Sequence, residues 1–278
     1  MNWQSFHIDL PMARIAAIEA GDGPNVLLCL HGYEQRKDLF KPLFEPLLEG
    51  WRFVAIDLPL YGETEWFERD RPLDEAFLEA LWSGFAERYA GSRLHLLGFS
   101  MGGKVALSLQ SSVRRRAESL ILLAPDSDQS NFWHWLIRTP LGLHLNAWLD
   151  RNPQWVLRPA SWLFKIGLLD KLSYKVVKLS YETAAFRERK TRQLQLYDPL
   201  RINRARLQAD LETSFHLIWG KKDKILPARF AKQVSQLLKL ESFQLLDAGH
   251  MMIDENTSLV QTALFPILQD LSTKAVDK

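Results

Sequence analysis

Six short apolar runs, at 26–30, 53–56, 94–97, 120–123, 215–219 and 243–246, punctuate this chain, and turn residues or charges bound each one. Runs of four or five residues suit β-strands buried on both faces. Between them lie stretches with the 3.6-residue period of amphipathic helices. One runs through Leu39, Leu43, Phe44, Leu47 and Leu48, another through Leu78, Leu81, Trp82, Phe85 and Tyr89, and a third through Phe230, Val234, Leu237 and Leu238. Alternation of this kind predicts a mostly parallel sheet with helices on both faces. Residues 5–19 predict instead an antiparallel hairpin turning near Pro11 at one sheet edge. A final helix is expected over about 255–271, kinked or divided at Pro266.

The rhythm breaks over 126–207, where no strand is expected. This stretch holds five of the ten tryptophans, Trp133, Trp135, Trp148, Trp155 and Trp162, and a net charge of +7 against −5 for the rest of the chain. It reads as a helical insertion between two sheet strands, dividing a core of 1–125 and 208–278. Its expected place is the carboxyl edge of the sheet, where open α/β sheets bind ligands. The whole chain carries a net charge of only +2, which gives no reason to expect a nucleic-acid partner. A single cysteine, Cys29, excludes an internal disulfide framework and a cysteine-rich zinc site. It lies mid-strand and reads as an inert core residue. The first twenty residues lack a basic start followed by an apolar core, and no run suffices for a transmembrane span. A soluble, cytoplasmic protein is expected.

The segment Leu94-His-Leu-Leu-Gly-Phe-Ser-Met-Gly-Gly-Lys-Val-Ala-Leu107 holds Gly98-x-Ser100-x-Gly102 between a strand pattern and a helix pattern. This is the context of a nucleophile elbow. A serine on so tight a turn is forced into strained backbone geometry, and the flanking glycines allow close backbone approach. Its hydroxyl then stands at a helix N-terminus, whose dipole favours developing negative charge.

With these residues the chain resembles the α/β-hydrolases over essentially its whole length apart from the insertion. Leu28-Cys-Leu-His-Gly-Tyr33 is similar to the family's His-Gly-x turn after the third strand. Asp57-Leu-Pro-Leu-Tyr-Gly62 is similar to its Asp-x-Pro-Gly-x-Gly loop after the fourth. Leu60 replaces the usual first glycine, so that loop is expected to follow a different path. The resemblance implies an α/β-hydrolase fold with about eight strands and a helical cap, and a hydrolase that needs no cofactor.

A serine hydroxyl needs a base to take its proton, and the base needs a carboxylate to set its tautomer. His250, in Asp247-Ala-Gly-His250 just before the final helix, has the setting of the family's catalytic histidine. His7, His95, His134, His144 and His216 lack it and read as structural, while by resemblance His31 orders the oxyanion turn. Asp223, in Leu217-Ile-Trp-Gly-Lys-Lys-Asp-Lys-Ile-Leu-Pro227, matches the family's acid and completes the order Ser, Asp, His. Asp126, after the strand at 120–123, is its rival, because some members take the acid from that strand. The backbone N–H groups of Met101 and Tyr33 are the expected oxyanion donors. Glu34, Phe99 and Trp133 are candidate substrate contacts.

A serine nucleophile argues against the dehalogenases and epoxide hydrolases of this fold, which attack with a carboxylate. No His-Glu-x-x-His, Cys-x-x-Cys or Walker pattern occurs, so no metal or nucleotide is implied. The expected substrate is a small-molecule carboxylic ester or thioester. Two readings stay open beside it: a carbon–carbon bond hydrolase with the same triad, and a non-catalytic binding or signalling protein on the same scaffold. The insertion's tryptophans could wall an acyl pocket while its cations meet an anionic group or a membrane surface. The plainer expectation is tryptophan buried in the cap with Lys and Arg in water.

Overall fold

The computed structural model describes residues 2–46, 48–68, 71–113, 117–127, 139–169, 171–197 and 199–274. The chain divides into two compact units, Met1–Asp128 with Leu200–Lys278, and Gln129–Pro199.

The first unit is built on one sheet. Its strands are β1 (Gln4–Leu10), β2 (Ala13–Gly21), β3 (Asn25–Leu30), β4 (Trp51–Ile56), β5 (Glu65–Trp66), β6 (Arg93–Phe99), β7 (Ser119–Leu123), β8 (Ser214–Gly220) and β9 (Leu240–Leu246). The order is β1-β2-β4-β3-β6-β7-β8-β9, with β5 paired to β2. Pairing is parallel from β4 through β9 and antiparallel where β2 meets β1, β4 and β5. The six apolar runs of the sequence all lie in parallel strands, and the hairpin turns at Pro11–Met12 on the sheet edge. The two-residue β5 has no sequence signal of its own; pairing with β2 alone makes it a strand.

β3, β6 and β7 are buried almost throughout, as continuous apolar runs require. β9 departs from that expectation. It is an edge strand with alternating burial, and Phe243 and Leu245 remain about half exposed. An edge position covers one face only, so apolar content alone overstated its burial.

Helix α1 (Glu75–Arg88) begins where the Asp74 carboxylate accepts from Phe77 N–H at 2.9 Å, and it buries Phe77, Leu78, Leu81, Trp82 and Phe85. Helix α2 (Met101–Ser112) is buried around most of its circumference beneath β6. The expected helix through Leu39–Leu48 is instead a short 3-10 turn, Lys37–Phe40, followed by further turns. Pro42 and Pro46 remove backbone donors and disfavour helical geometry in the residues before them. The apolar period survives as packing: Phe44 stacks on Phe53 of β4 with ring centroids 4.0 Å apart.

Helices α7 (Arg204–Gln208) and α8 (Arg229–Leu237) flank β8 in sequence, and α9 (Met252–Glu255) and α10 (Thr257–Thr273) follow β9. Pro266 does not divide the last helix; the break falls at Asn256. Gln244 Nε2 donates to Ala263 O at 3.1 Å, within the turn that the proline deprives of a donor.

The second unit carries helices α3 (Pro140–Arg151), α4 (Gln154–Lys165), α5 (Lys171–Tyr181) and α6 (Ala184–Tyr197). Lys190 of α6 bridges Asp150 at 2.6 Å and Asn146 at 2.9 Å on α3. The expectation of buried tryptophans fails for the three that are described: Trp148, Trp155 and Trp162 are all exposed. Trp133 and Trp135 lie outside the described residues. Among the described residues no helix is long and apolar enough to cross a membrane.

Candidate active site

Ser100 joins β6 directly to α2 and takes φ 51° and ψ −116°. A non-glycine residue in this region stores about 1–3 kcal/mol and persists only where its surroundings over-determine it. Here they do. Ser100 N–H donates to Leu123 O at 3.0 Å, and its carbonyl accepts from Gly103 and Asp126 N–H, both at 2.9 Å. A Cβ on Gly98 would lie 2.7 Å from Gly102 O, and one on Gly102 would overlap the carbonyls of Leu30 and His31. Two backbones therefore meet at the turn, and only glycine admits them. Met101 opens α2, so its N–H belongs to the helix-start donors without an intrahelical carbonyl.

His250 lies in the turn after β9, which is tied to the end of β8 by Lys221 N–H to Leu246 O at 2.8 Å and Lys222 N–H to Ala248 O at 2.9 Å. Asp223 follows β8. Its Oδ1 accepts from the N–H groups of Ile225 at 2.9 Å and Leu226 at 2.7 Å, which fixes the carboxylate plane. Its Oδ2 lies 2.7 Å from His250 Nδ1, and His250 Nε2 lies 2.9 Å from Ser100 Oγ. A carboxylate facing Nδ1 sets the tautomer: Nδ1–H donates to Asp223, and Nε2 is left to accept the Ser100 hydroxyl proton. All three side chains are buried. The Phe99 ring, itself buried, packs 5.4 Å from the imidazole centroid.

Three sequence candidates thus form one hydrogen-bonded chain. Asp126 meets this chain through its backbone N–H, which braces the Ser100 carbonyl, while the Asp223 carboxylate faces Nδ1. Tyr33 and Glu34 are half-buried in the turn after β3, with Glu34 at φ 57°.

His31 anchors that turn. Leu58 N–H donates to its Nε2 at 3.0 Å, so Nδ1 carries the proton and donates to Gly32 O at 2.7 Å. Burial pushes its imidazole down to about 4, which keeps it neutral. His95 and His216 are likewise buried and driven down by desolvation, and each bonds a serine hydroxyl, Ser119 and Ser242, at 2.8 Å. Burial also pushes the Cys29 thiol up, so it is not a thiolate. Among the described residues no group of three or more His, Cys, Asp or Glu could hold a metal ion.

The loop after Asp57 turns tightly at Leu60. Tyr61 N–H closes on Leu58 O at 3.0 Å with Pro59 and Leu60 between them, and Leu60 takes φ 71°. This is the pattern of a type II turn, whose third residue ordinarily is glycine. Leucine adopts the glycine conformation there at a cost of roughly 1–2 kcal/mol.

Sequence reasoning missed what braces these loops. Gln35 Oε1 accepts Gly32 N–H at 3.0 Å, and its Nε2 reaches Asp254 of α9 at 3.2 Å. Buried Lys37 bonds buried Asp57 at 2.7 Å and Glu63 at 2.7 Å, and the Asp57 carboxylate also accepts Lys37 N–H and Glu63 N–H. The contact joins the segments after β3 and β4, which are distant in sequence, and no local pattern encodes it. Burial by itself would raise the Asp57 pKa, but the Lys37 hydrogen bond and the two N–H groups outweigh it and hold the carboxyl below its usual range.

Lys37→Met leaves that charge buried without its partner and is expected to destabilise the fold by ~3–5 kcal/mol. The depressed pKa makes the wild-type contribution fully present at neutral pH. It is lost as pH falls below about 4, through the lowered folded value. Urea melts of both proteins across acid pH check this; equal stabilities at pH 7 would show that the pair contributes nothing.

Residues 27–261 match the Alpha/beta hydrolase family. The chain is 24% identical over 252 residues to the uncharacterized hydrolase YugF of Bacillus subtilis, spanning 86% of this chain and 88% of that protein. A shorter match, 32% identical over 113 residues, links 41% of this chain to 42% of the pimeloyl-(acyl-carrier protein) methyl ester esterase of Nitrosomonas europaea. Among solved structures, a thermophilic esterase from Thermogutta terrifontis shares the fold at a TM-score of 0.71 and 20% identity, over 97% of this chain and 99% of that one. With the strand order, the elbow and a family match across most of its length, this chain belongs to the Alpha/beta hydrolase family.

Proposed function

We propose that this protein is a serine hydrolase acting on a carboxylic ester or thioester through an acyl-enzyme. The observation that carries the reading is the continuous contact from Ser100 Oγ to His250 at 2.9 Å and from His250 to Asp223 at 2.7 Å. Ser100 Oγ attacks the acyl carbon while its proton passes to His250 Nε2, and Asp223 stabilises the imidazolium through Nδ1–H. Charge collects on the carbonyl oxygen, which the N–H groups of Met101 and Tyr33 bind. His250 returns the proton to the departing alkoxide or thiolate. A water then attacks the acyl-enzyme with His250 as base, releasing the acid and restoring Ser100. Phe99 and Glu34 lie close in sequence to the donors and are proposed to shape the substrate's surroundings. The insertion at 126–207 is proposed to act as a cap domain.

The named esterases among the similar proteins support the ester reading, the Nitrosomonas europaea enzyme at 32% identity over part of its length. The test is labelling by a fluorophosphonate probe, followed by turnover of p-nitrophenyl esters of graded chain length. Labelling at Ser100 with ester turnover is the expected result. Cleavage of a vinylogous diketone without ester turnover would move the chemistry to carbon–carbon bonds. Failure of both labelling and turnover would leave a binding protein.

A further inference from the structure

We infer that the helical unit Gln129–Pro199 docks on an anionic lipid bilayer surface, through the exposed Trp and Leu side chains of α3 and α4 and the cations interleaved with them. Along α4, Trp155, Arg158, Trp162 and Lys165 are spaced by three, four and three residues, so they share one helical stripe, and all four are exposed. The exposures are large for such side chains: 63% for Trp155, 60% for Trp162 and 46% for Trp148. On α3, Leu141, Leu145 and Trp148 make a second exposed stripe, and the Trp148 ring lies 6.0 Å from that of Trp155, which joins the two. Leu141 and Leu168 are about three-quarters exposed.

Exposed Lys171, Lys175 and Lys178 stripe α5 in the same way, and Phe164 stacked on Tyr174 at 4.6 Å holds α5 against α4. Between these helices lies a groove of about 460 Å³, lined in part by Arg158, Ser161, Trp162, Lys165, Tyr174 and Lys178. Aromatic rings beside cations there suit a phosphate headgroup and the carbon chain below it.

Water is a poor solvent for this much apolar side chain, so the face calls for a partner. Charge decides which one. The unit has eleven Lys and Arg against five Asp and Glu. A second copy would bring the same cations into contact, and like charges oppose that interface. A nucleic acid would neutralise the cations but offer nothing to Leu141, Leu145, Ile166 and Leu168. An anionic bilayer answers both features: headgroups meet Lys and Arg, and the indole and leucine side chains enter the acyl boundary.

The test is co-sedimentation of the full chain with vesicles of phosphatidylglycerol mixed with phosphatidylcholine, and with vesicles of phosphatidylcholine alone. The expected result is binding to the anionic vesicles only, weakened by added salt. Each basic residue near such a surface contributes about fivefold in partitioning. Arg158→Gln combined with Lys175→Gln should therefore lower binding by roughly 25-fold. Trp155→Ser and Trp162→Ser should lower it too, with melting temperatures little changed because both side chains are more than half exposed. Three results would overturn the proposal: no binding to anionic vesicles, equal binding to neutral ones, or binding indifferent to these substitutions. Preference for a single-stranded oligonucleotide, or concentration-dependent self-association abolished by the same changes, would do so as well. The assay reads lipid binding without hydrolysis, so its outcome is independent of the Ser100 chemistry.

Discussion

Ser100→Ala is expected to cut kcat by ~10⁴–10⁶, because nucleophile, base and carboxylate act as a unit whose loss at any member removes most of the catalysis. The protein should remain folded. The strained φ of 51° at this position is braced by backbone hydrogen bonds to Leu123, Gly103 and Asp126, none of which uses the side chain. The measurement is kcat on whichever p-nitrophenyl ester the wild type hydrolyses best, with circular dichroism as the control for folding. Turnover close to wild type in a folded Ser100→Ala protein would remove Ser100 from the reaction.

Asp223→Asn is the second large effect, up to ~10⁴ in kcat. Asparagine keeps the shape but can present an N–H to His250 Nδ1, which turns the imidazole to the other tautomer and leaves Nε2 unable to take the serine proton. The Asp223 contacts from Ile225 and Leu226 N–H run to one carboxylate oxygen, so the amide oxygen should take that place and direct its NH₂ at the histidine. Asp126→Asn should cost far less, since the bond from residue 126 to the Ser100 carbonyl comes from its backbone. Comparing kcat for the two variants decides the acid; a larger loss at Asp126 would assign it to the strand before the insertion.

Much of this protein was legible in order along the chain. Strand runs, the edge hairpin and the elbow are local patterns, because burial on both faces and a tight strand-to-helix turn each leave a mark within about ten residues. Local pattern misled where a neighbour or a proline decided the outcome. Leu39–Leu48 has a helical period, yet Pro42 and Pro46 break the helix and Phe44 stacks on Phe53 from a turn. The run Phe243–Leu246 reads as a strand buried on both faces, but β9 lies at the sheet edge and its burial alternates.

The sequence by itself determined the class of fold, the strand-to-helix turn at Ser100 and the candidates for nucleophile, base and acid, because each depends on residue type and short-range spacing. Only the tertiary structure sets the Asp223 carboxylate 2.7 Å from His250 Nδ1, because that contact joins two loops 27 residues apart. The Lys37–Asp57 pair and the Gln35 bridge to Asp254 exist through contacts between distant segments. The exposure of Trp155 and Trp162 has the same origin: how much of a tryptophan is covered depends on what packs beside it, and composition carries no record of that.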